Sequence, residues 1–310
     1  MRAIRSASVS FVLVVAAVGA TPVAQLHFGT VNSQVVEQRL KSYKGGDSER
    51  EATVKNLFRS AGCPDRELTE QSVKGSKQPN VICVLPGSAE AVIVVGAHFD
   101  HVDAGDGVVD NWSGASLLPS LYQALKTNPR KHTFIFVAFT AEEKGLVGSR
   151  FYVSSLTPDQ VKKIDAMVNM DTLGLGPTEV WASRSDQKLV RALNGVAHAL
   201  KLPLTGVNVD GVGESDEESF IKRGVPTITI HSLTQSTIQV LHSNRDNYSA
   251  IHFNDYYNSY RLVSAYLVLL DSDVVGRCEA SERTLAASPA TFGPDPQSKS
   301  VGFPAPISLH

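Results

Sequence analysis

Five short apolar runs punctuate the chain: VICVL (81–85), AVIVVGA (91–97), TFIFVAF (133–139), AMVNM (166–170) and PTITI (226–230). The longer ones do not alternate polar with apolar residues, which is the pattern of strands covered on both faces in the middle of a parallel sheet. The turn PGS between the first two runs predicts a hairpin or two neighbouring strands. Helical patterns lie around and between the runs, at 32–61, 113–127, 145–155, 185–201 and 252–274. The first carries partial stripes of Val36, Leu40, Val54, Leu57 and Phe58, with a break expected at Gly45-Gly46. The second has Leu117, Leu121 and Leu125 at four-residue spacing behind a capping Ser113. Its Pro119 predicts a kink or a later helix start, because proline removes a helical N–H and crowds the preceding turn. Strands alternating with helices predict a three-layer α/β/α sandwich around a mostly parallel mixed sheet.

The ends of the chain follow other patterns. MRAIRS supplies Arg2 and Arg5, SFVLVVAAVGA supplies an apolar core, and Ala20 or Ala24 supplies a small residue for cleavage. Residues 1–24 are therefore expected to be a signal peptide, 25–278 a single domain, and 279–310, rich in Pro, Gly and Ser, an irregular tail. Secretion or delivery to a periplasm follows, with no stable membrane association after cleavage. An oxidising compartment permits disulfides, and of three cysteines Cys63 and Cys83 form the better pair, since they flank a polar connection between a helix and a strand. The 310 residues carry a formal net charge of −2 and no basic block, so nucleic acid is an unsuitable partner. A monomer is expected.

The chemistry gathers where the apolar runs end. AVIVVGA leads into His98 and Asp100, TFIFVAF into Glu142 and Glu143, and AMVNM into Asp171. In open α/β sheets the crevice lies outside the carboxyl ends of the strands, so these side chains converge on rigid supports. Asp100, two residues beyond His98, can fix the imidazole tautomer and free the other nitrogen for a metal. Asp110, in GDGVVDNWSG, is available because Ser113 can cap the following helix. Neighbouring glutamates diverge, so one can bind metal while the other handles a proton. His242, with Asp246 nearby, completes the set; His101 and His231 are rivals that can instead line a pocket. His98, Asp110, Glu143, Asp171 and His242 make two imidazoles and three carboxylates. If Asp110 bridges, each of two cations receives three protein groups. Such a donor set, free of thiolate, suits two zinc ions, with manganese or cobalt also compatible.

In this order AHFDH, GVVDNWSGAS, FTAEEKGLVGS, NMDTLG and HSNRDNY resemble the co-catalytic dizinc aminopeptidases of the bacterial leucyl aminopeptidase type, over roughly residues 35–275. SDEESFIKRGVPTI resembles the segment lining their substrate pocket. The resemblance implies a zinc-exopeptidase-like fold, Glu142 as general base, Asp100 orienting His98, a bridging Asp110, and a cis peptide between Asp110 and Asn111. It further implies hydrolysis at the N-terminal end of a peptide or protein with a free α-amine. Glu217 departs from the histidine often found after the Ser-Asp pair, and Leu241 stands where some relatives have tyrosine. Three rival functions share these residues: a single-zinc glutaminyl cyclase on the same architecture, a carboxypeptidase, and a non-catalytic metal-binding protein, the last disfavoured by a glutamate left over as base.

Overall fold

A computed structural model describes residues 9–15, 24–209 and 213–272, the first strand and residues 24–26 by backbone alone. The elements run β1 (Val9–Val15), β2 (Ala24–Thr30), α1 (Ser33–Leu40), α2 (Asp47–Ala61), β3 (Leu68–Gln71), β4 (Asn80–Leu85), β5 (Val92–His98) and α3 (Ser113–Leu125). They continue with β6 (Thr133–Phe139), α4 (Val147–Ser154), α5 (Pro158–Lys162), β7 (Ile164–Met170), β8 (Glu179–Val180), α6 (Gln187–Leu200), β9 (Thr205–Gly206), α7 (Glu217–Ile221), β10 (Thr227–His231) and α8 (Phe253–Asp271).

The main sheet has eight strands in the order β3-β4-β6-β5-β7-β10-β8-β9. Its centre, β6-β5-β7-β10, is parallel, and β3-β4, β4-β6 and β10-β8 are antiparallel. The apolar runs are continuous because both faces are covered. On β5, Ile93, Val95 and Ala97 join the core beneath α1, α2, α3, α6 and α8, whereas Val94 faces a second core with Tyr152 of α4 and Phe220 of α7. On β6, Phe134, Phe136 and Ala138 likewise take the first face, and Val137 and Phe139 the second. The three-layer arrangement expected from the alternation of strands and helices is thus present.

Some local expectations need correction. VICVL and AVIVVGA are neither a hairpin nor neighbours: β6 lies between β4 and β5, antiparallel to one and parallel to the other. Of the two outcomes expected for Pro119, the later helix start is excluded, since α3 begins at Ser113 and contains the proline. Ser113 is not the cap; Trp112 holds that position, and the Ser113 hydroxyl donates to the Val109 carbonyl at 2.7 Å. The break at Gly45-Gly46 does separate α1 from α2, and Gly46 is the residue preceding the second helix.

Two features bear on how the site is carried. A Cβ at Gly114 would come within 2.6 Å of the Met170 carbonyl and 2.9 Å of the Ala97 Cβ, so glycine lets the first turn of α3 rest on the ends of β5 and β7. Cys63, just past α2, is disulfide-bonded to Cys83 on β4. At the N-terminus β1 pairs antiparallel with β2, so residues 10–15 of the apolar run assigned to a targeting segment lie in a two-stranded ribbon. Ala20, Cys278 and the tail 279–310 lie outside the described residues. Among the described residues no helix is long and apolar enough to cross a membrane.

Candidate metal centre

The carboxyl ends of the central strands bring His98, Asp110, Glu142, Glu143, Asp171 and His242 together. The two oxygens of Asp110 face different histidines: Oδ1 lies 3.2 Å from His98 Nε2, and Oδ2 lies 3.3 Å from His242 Nε2. On the first side, Asp171 Oδ1 is 3.7 Å and Glu142 Oε2 4.0 Å from His98 Nε2. On the second, Glu143 Oε2 is 3.0 Å from His242 Nε2. Two groups thus have mutual spacings suited to one cation each, His98 with Glu142 and Asp171, and Asp110 with Glu143 and His242. Asp110 stands between them.

The backbone is specialised around these side chains. The Asp110–Asn111 peptide is cis, as the resemblance implied. Ala141, Thr172 and His242 have positive φ although none is glycine, a conformation that costs roughly 1 kcal/mol or more and needs surroundings that enforce it. Ala141 precedes Glu142, Thr172 follows Asp171, and His242 is itself in the cluster.

Buried polar residues hold the cluster in place, several of them invisible in the sequence reading. The Asp100 carboxylate accepts from the backbone N–H of Glu142 at 3.0 Å and of Glu143 at 3.2 Å, so it ties the end of β5 to the acids beyond β6. The atom of Asp100 nearest to His98 Nδ1 is its carbonyl oxygen at 3.2 Å, with carboxylate Oδ1 at 3.7 Å. Asp246 does not contact His242 as a supporting acid; it accepts from the N–H groups of Val109 (2.7 Å) and Asp110 (3.1 Å). Asn111 fastens the other side, donating to the Met170 carbonyl and accepting from the N–H groups of Gly114 and Thr172. Arg50, fully buried on α2, donates to the carbonyls of Phe99, Asp106 and Gly107 and so pins the loop before Asp110. Asp171 accepts from the hydroxyls of Thr172 (3.1 Å) and Ser215 (2.5 Å).

Of the rival histidines, neither enters the two groups. His101 Nδ1 lies 3.2 Å from Asp47. His231 lines the cavity and accepts from the Leu233 N–H at 3.0 Å. Burial holds its pKa down at about 4, so it is neutral near pH 7.

The acids and imidazoles of the cluster perturb one another. Burial opposes a charge on His98, but Glu142, Asp100, Asp110 and Asp171 raise its pKa well above the ordinary value. Hydrogen bonding to Asp110 lifts His242 to about 9. Burial, with Asp216, Asp171 and Asp110 adding repulsion, pushes Glu142 far up; burial and Asp110 bring Glu143 to about 7. Glu143 Oε1 is buried with no hydrogen-bond partner. Imidazoles and carboxylates without thiolate, crowded around an orphaned acid oxygen, fit divalent zinc, manganese or cobalt.

A cavity of about 500 Å³ opens over the cluster, within the size range of small-ligand sites. Asp110, Glu142, Glu143, Asp171 and His242 line one part, and Trp181, Val209, Leu233, Ile238 and Leu241 make another part largely apolar. Ser215 also lines it, whereas Glu217 is buried and does not.

Such a sheet, with paired acid–imidazole groups at its strand ends, defines an α/β fold whose clustered side chains could hold metal ions. The chain matches the model of peptidase family M28 over residues 80–267 and belongs to that family. It is 30% identical over 177 residues to leupeptin-inactivating enzyme 1 of Streptomyces exfoliatus, covering 56% of this chain and 40% of that protein. Aminopeptidase YwaD of Bacillus subtilis is 29% identical over 166 residues, 51% of this chain and 34% of the relative. The chain therefore spans less than half the length of these curated relatives. Among solved structures, the Legionella pneumophila LapA aminopeptidase has a TM-score of 0.67 at 21% identity, over 78% of this chain and 72% of that one. An Acidobacteriales glutaminyl cyclase scores 0.63 at 20% identity, over 78% and 96%. At these identities the structural likenesses show the fold.

Proposed function

We propose that this chain is an exported, monomeric, zinc-dependent aminopeptidase that removes residues from the free N-terminus of peptides or proteins. The observation that carries the reading is the placement of Asp110 between two histidines, one oxygen toward each, with Glu142 beside them. His98, Asp110 and Asp171 would hold one zinc ion, and Glu143, Asp110 and His242 a second. Bound zinc would lower the pKa of a water molecule and polarise the scissile carbonyl.

The remaining tasks fall to the chain's own groups. Glu142 Oε2, 4.0 Å from His98 Nε2 and facing the cavity, takes the proton of the attacking water and returns it to the nitrogen of the leaving amine. Asp100 keeps Glu142 in reach through its backbone N–H, and Asp246 keeps Asp110 in place through another. The acids facing the cavity attract a free α-ammonium group, whereas an N-acylated peptide brings no such charge. The apolar stretch through Val209, Leu233, Ile238 and Leu241 offers room for the first side chain.

The test is incubation of the zinc-loaded protein with unblocked and N-acetylated aminoacyl anilides, with metal analysis alongside. Cleavage confined to the unblocked set and two zinc equivalents are expected. One zinc with cyclisation of N-terminal glutamine would transfer the protein to the cyclase reading. Shortening of peptides from the carboxyl end would make it a carboxypeptidase.

A further inference from the structure

Glu217 is an expensive residue to bury. It is fully inaccessible, Oε1 has no hydrogen-bond partner, and Oε2 accepts one bond, from Asn169 Nδ2 at 3.1 Å. A carboxyl group removed from water without a full set of partners destabilises a fold, and an apolar side chain there would avoid that cost. The bond from Asn169 belongs to a longer chain. Asn169 Nδ2 also donates to Ser215 Oγ at 2.9 Å, and Ser215 Oγ donates to Asp171 Oδ2 at 2.5 Å.

The direction of that chain depends on its far end. A serine hydroxyl can donate either way, and an asparagine amide can present its oxygen or its nitrogen. Burial lifts the pKa of Glu217 to about 7, and above that pH its carboxylate only accepts. It therefore draws the Asn169 NH2 group toward itself, and the second hydrogen of that group meets Ser215 Oγ. With an incoming hydrogen bond on its oxygen, Ser215 turns its own proton to Asp171. Asn169 Oδ1 is left buried without a partner, so the opposite amide orientation would be favoured if a donor stood in place of Glu217.

We propose that Glu217 is a positioning residue which, through Asn169 and Ser215, orients Asp171 and thereby sets the affinity of the zinc site that Asp171 shares with His98. The inference rests on the proposed paired-zinc centre. Glu217→Gln tests it, because glutamine has the same shape and offers an NH2 group to a flipped Asn169. Ser215 then donates to Asn169 instead of Asp171.

Zinc binding to the metal-free native protein, Glu217→Gln, Ser215→Ala and the double variant is followed by competition with a chromophoric chelator. Glu217→Gln is expected to weaken one of the two zinc sites about 10-fold, the low end for loss of a group supporting a metal ligand, and to leave the other unchanged. In the Ser215→Ala background the same change should have less than about a 2-fold effect, because the relay is already cut. A purely electrostatic effect of removing the acid would persist in that background. An unchanged affinity in Glu217→Gln, an equal loss at both sites, or the same loss with and without Ser215 overturns the proposal. A native protein that binds a single zinc refutes the paired centre, and the four-way comparison is then judged on that one ion.

Discussion

Breaking the Cys63–Cys83 bridge offers a stability change whose size follows from chain length alone. The bridge spans a sequence separation of 20 and joins the end of α2 to β4, the strand paired with β6. In the loop-entropy treatment a closure of that length removes about 11 cal/mol/K from the unfolded ensemble, or about 3 kcal/mol at 25 °C. For a domain of this size, 1 kcal/mol moves the melting midpoint by about 2–4 °C, so reduction should lower it by roughly 6–12 °C. Reduction is a cleaner perturbation than substitution, since Cys63 and Cys83 are both buried and truncated side chains would leave a void. The assay is a thermal melt of the metal-free protein, oxidised and then reduced with a phosphine, followed by circular dichroism; metal-free samples remove any contribution from zinc. Neither cysteine belongs to the metal cluster, so the reduced protein reloaded with zinc should keep its activity at 25 °C. A shift below about 2 °C would show that the unfolded chain gains little freedom when the bridge opens, contrary to the entropy argument. Lost activity in a protein that remains folded would show that the bridge holds the site and not merely the chain.

Other expectations follow from the site and from the opposite end of the sheet. Glu142→Gln should retain fold and zinc content while lowering kcat by about 10²–10⁴, measured with an unblocked aminoacyl anilide; unchanged turnover would remove Glu142 from the proton-transfer role. Chelation should abolish activity and lower the melting midpoint, and free zinc at about 100 times its dissociation constant should restore about 2.7 kcal/mol, read by urea unfolding. His132 lies 3.1 Å from Asp271 at the end of α8 and 3.1 Å from Asp165, and hydrogen bonding to Asp271 raises its pKa. A histidine whose folded pKa is raised contributes its full stability below the unfolded value of about 6.5 and loses it as pH rises through the folded value. His132→Gln should therefore cost most in urea midpoint at acidic pH, and the difference from the native protein should shrink above neutrality. A difference that grows with pH contradicts the sign.

The sequence carried the layers of the fold because continuous apolar runs and four-residue stripes are local patterns. It could not place β6 between β4 and β5: adjacency along the chain favours pairing VICVL with AVIVVGA, and the true neighbour is decided by how Phe134 and Phe136 fill the shared core. Of the six cluster residues, His98, Glu142, Glu143 and Asp171 were legible because they stand at the ends of strand runs, whereas Asp110 and His242 stand away from them and were supplied by the ligand count and the resemblance. Their fastenings were less so, although signals existed. Asn169 stands two residues before Asp171, on the same side of an extended segment, and Arg50 falls in the four-residue series with Val54 and Phe58. His101, His231 and Asp246 resemble ligands or their supports locally, but the direction in which each side chain points is set by tertiary packing that no short string encodes.

The donors come from positions as far apart as His98 and His242, and those from β6 arrive only when that strand has been threaded between two others. A nascent chain lacking its last quarter has no His242, and a chain with β6 unpaired does not bring Glu142 and Glu143 to the cluster. On the proposed reading, cation capture is thus a late event in the life of the molecule. Raw affinity at N/O sites follows the Irving–Williams order whatever the protein needs, so metal availability helps decide which ion is taken. The ion that this protein acquires will accordingly reflect the surroundings in which its assembly finishes, and preparations matured in different milieux should differ in metal content while sharing one structure.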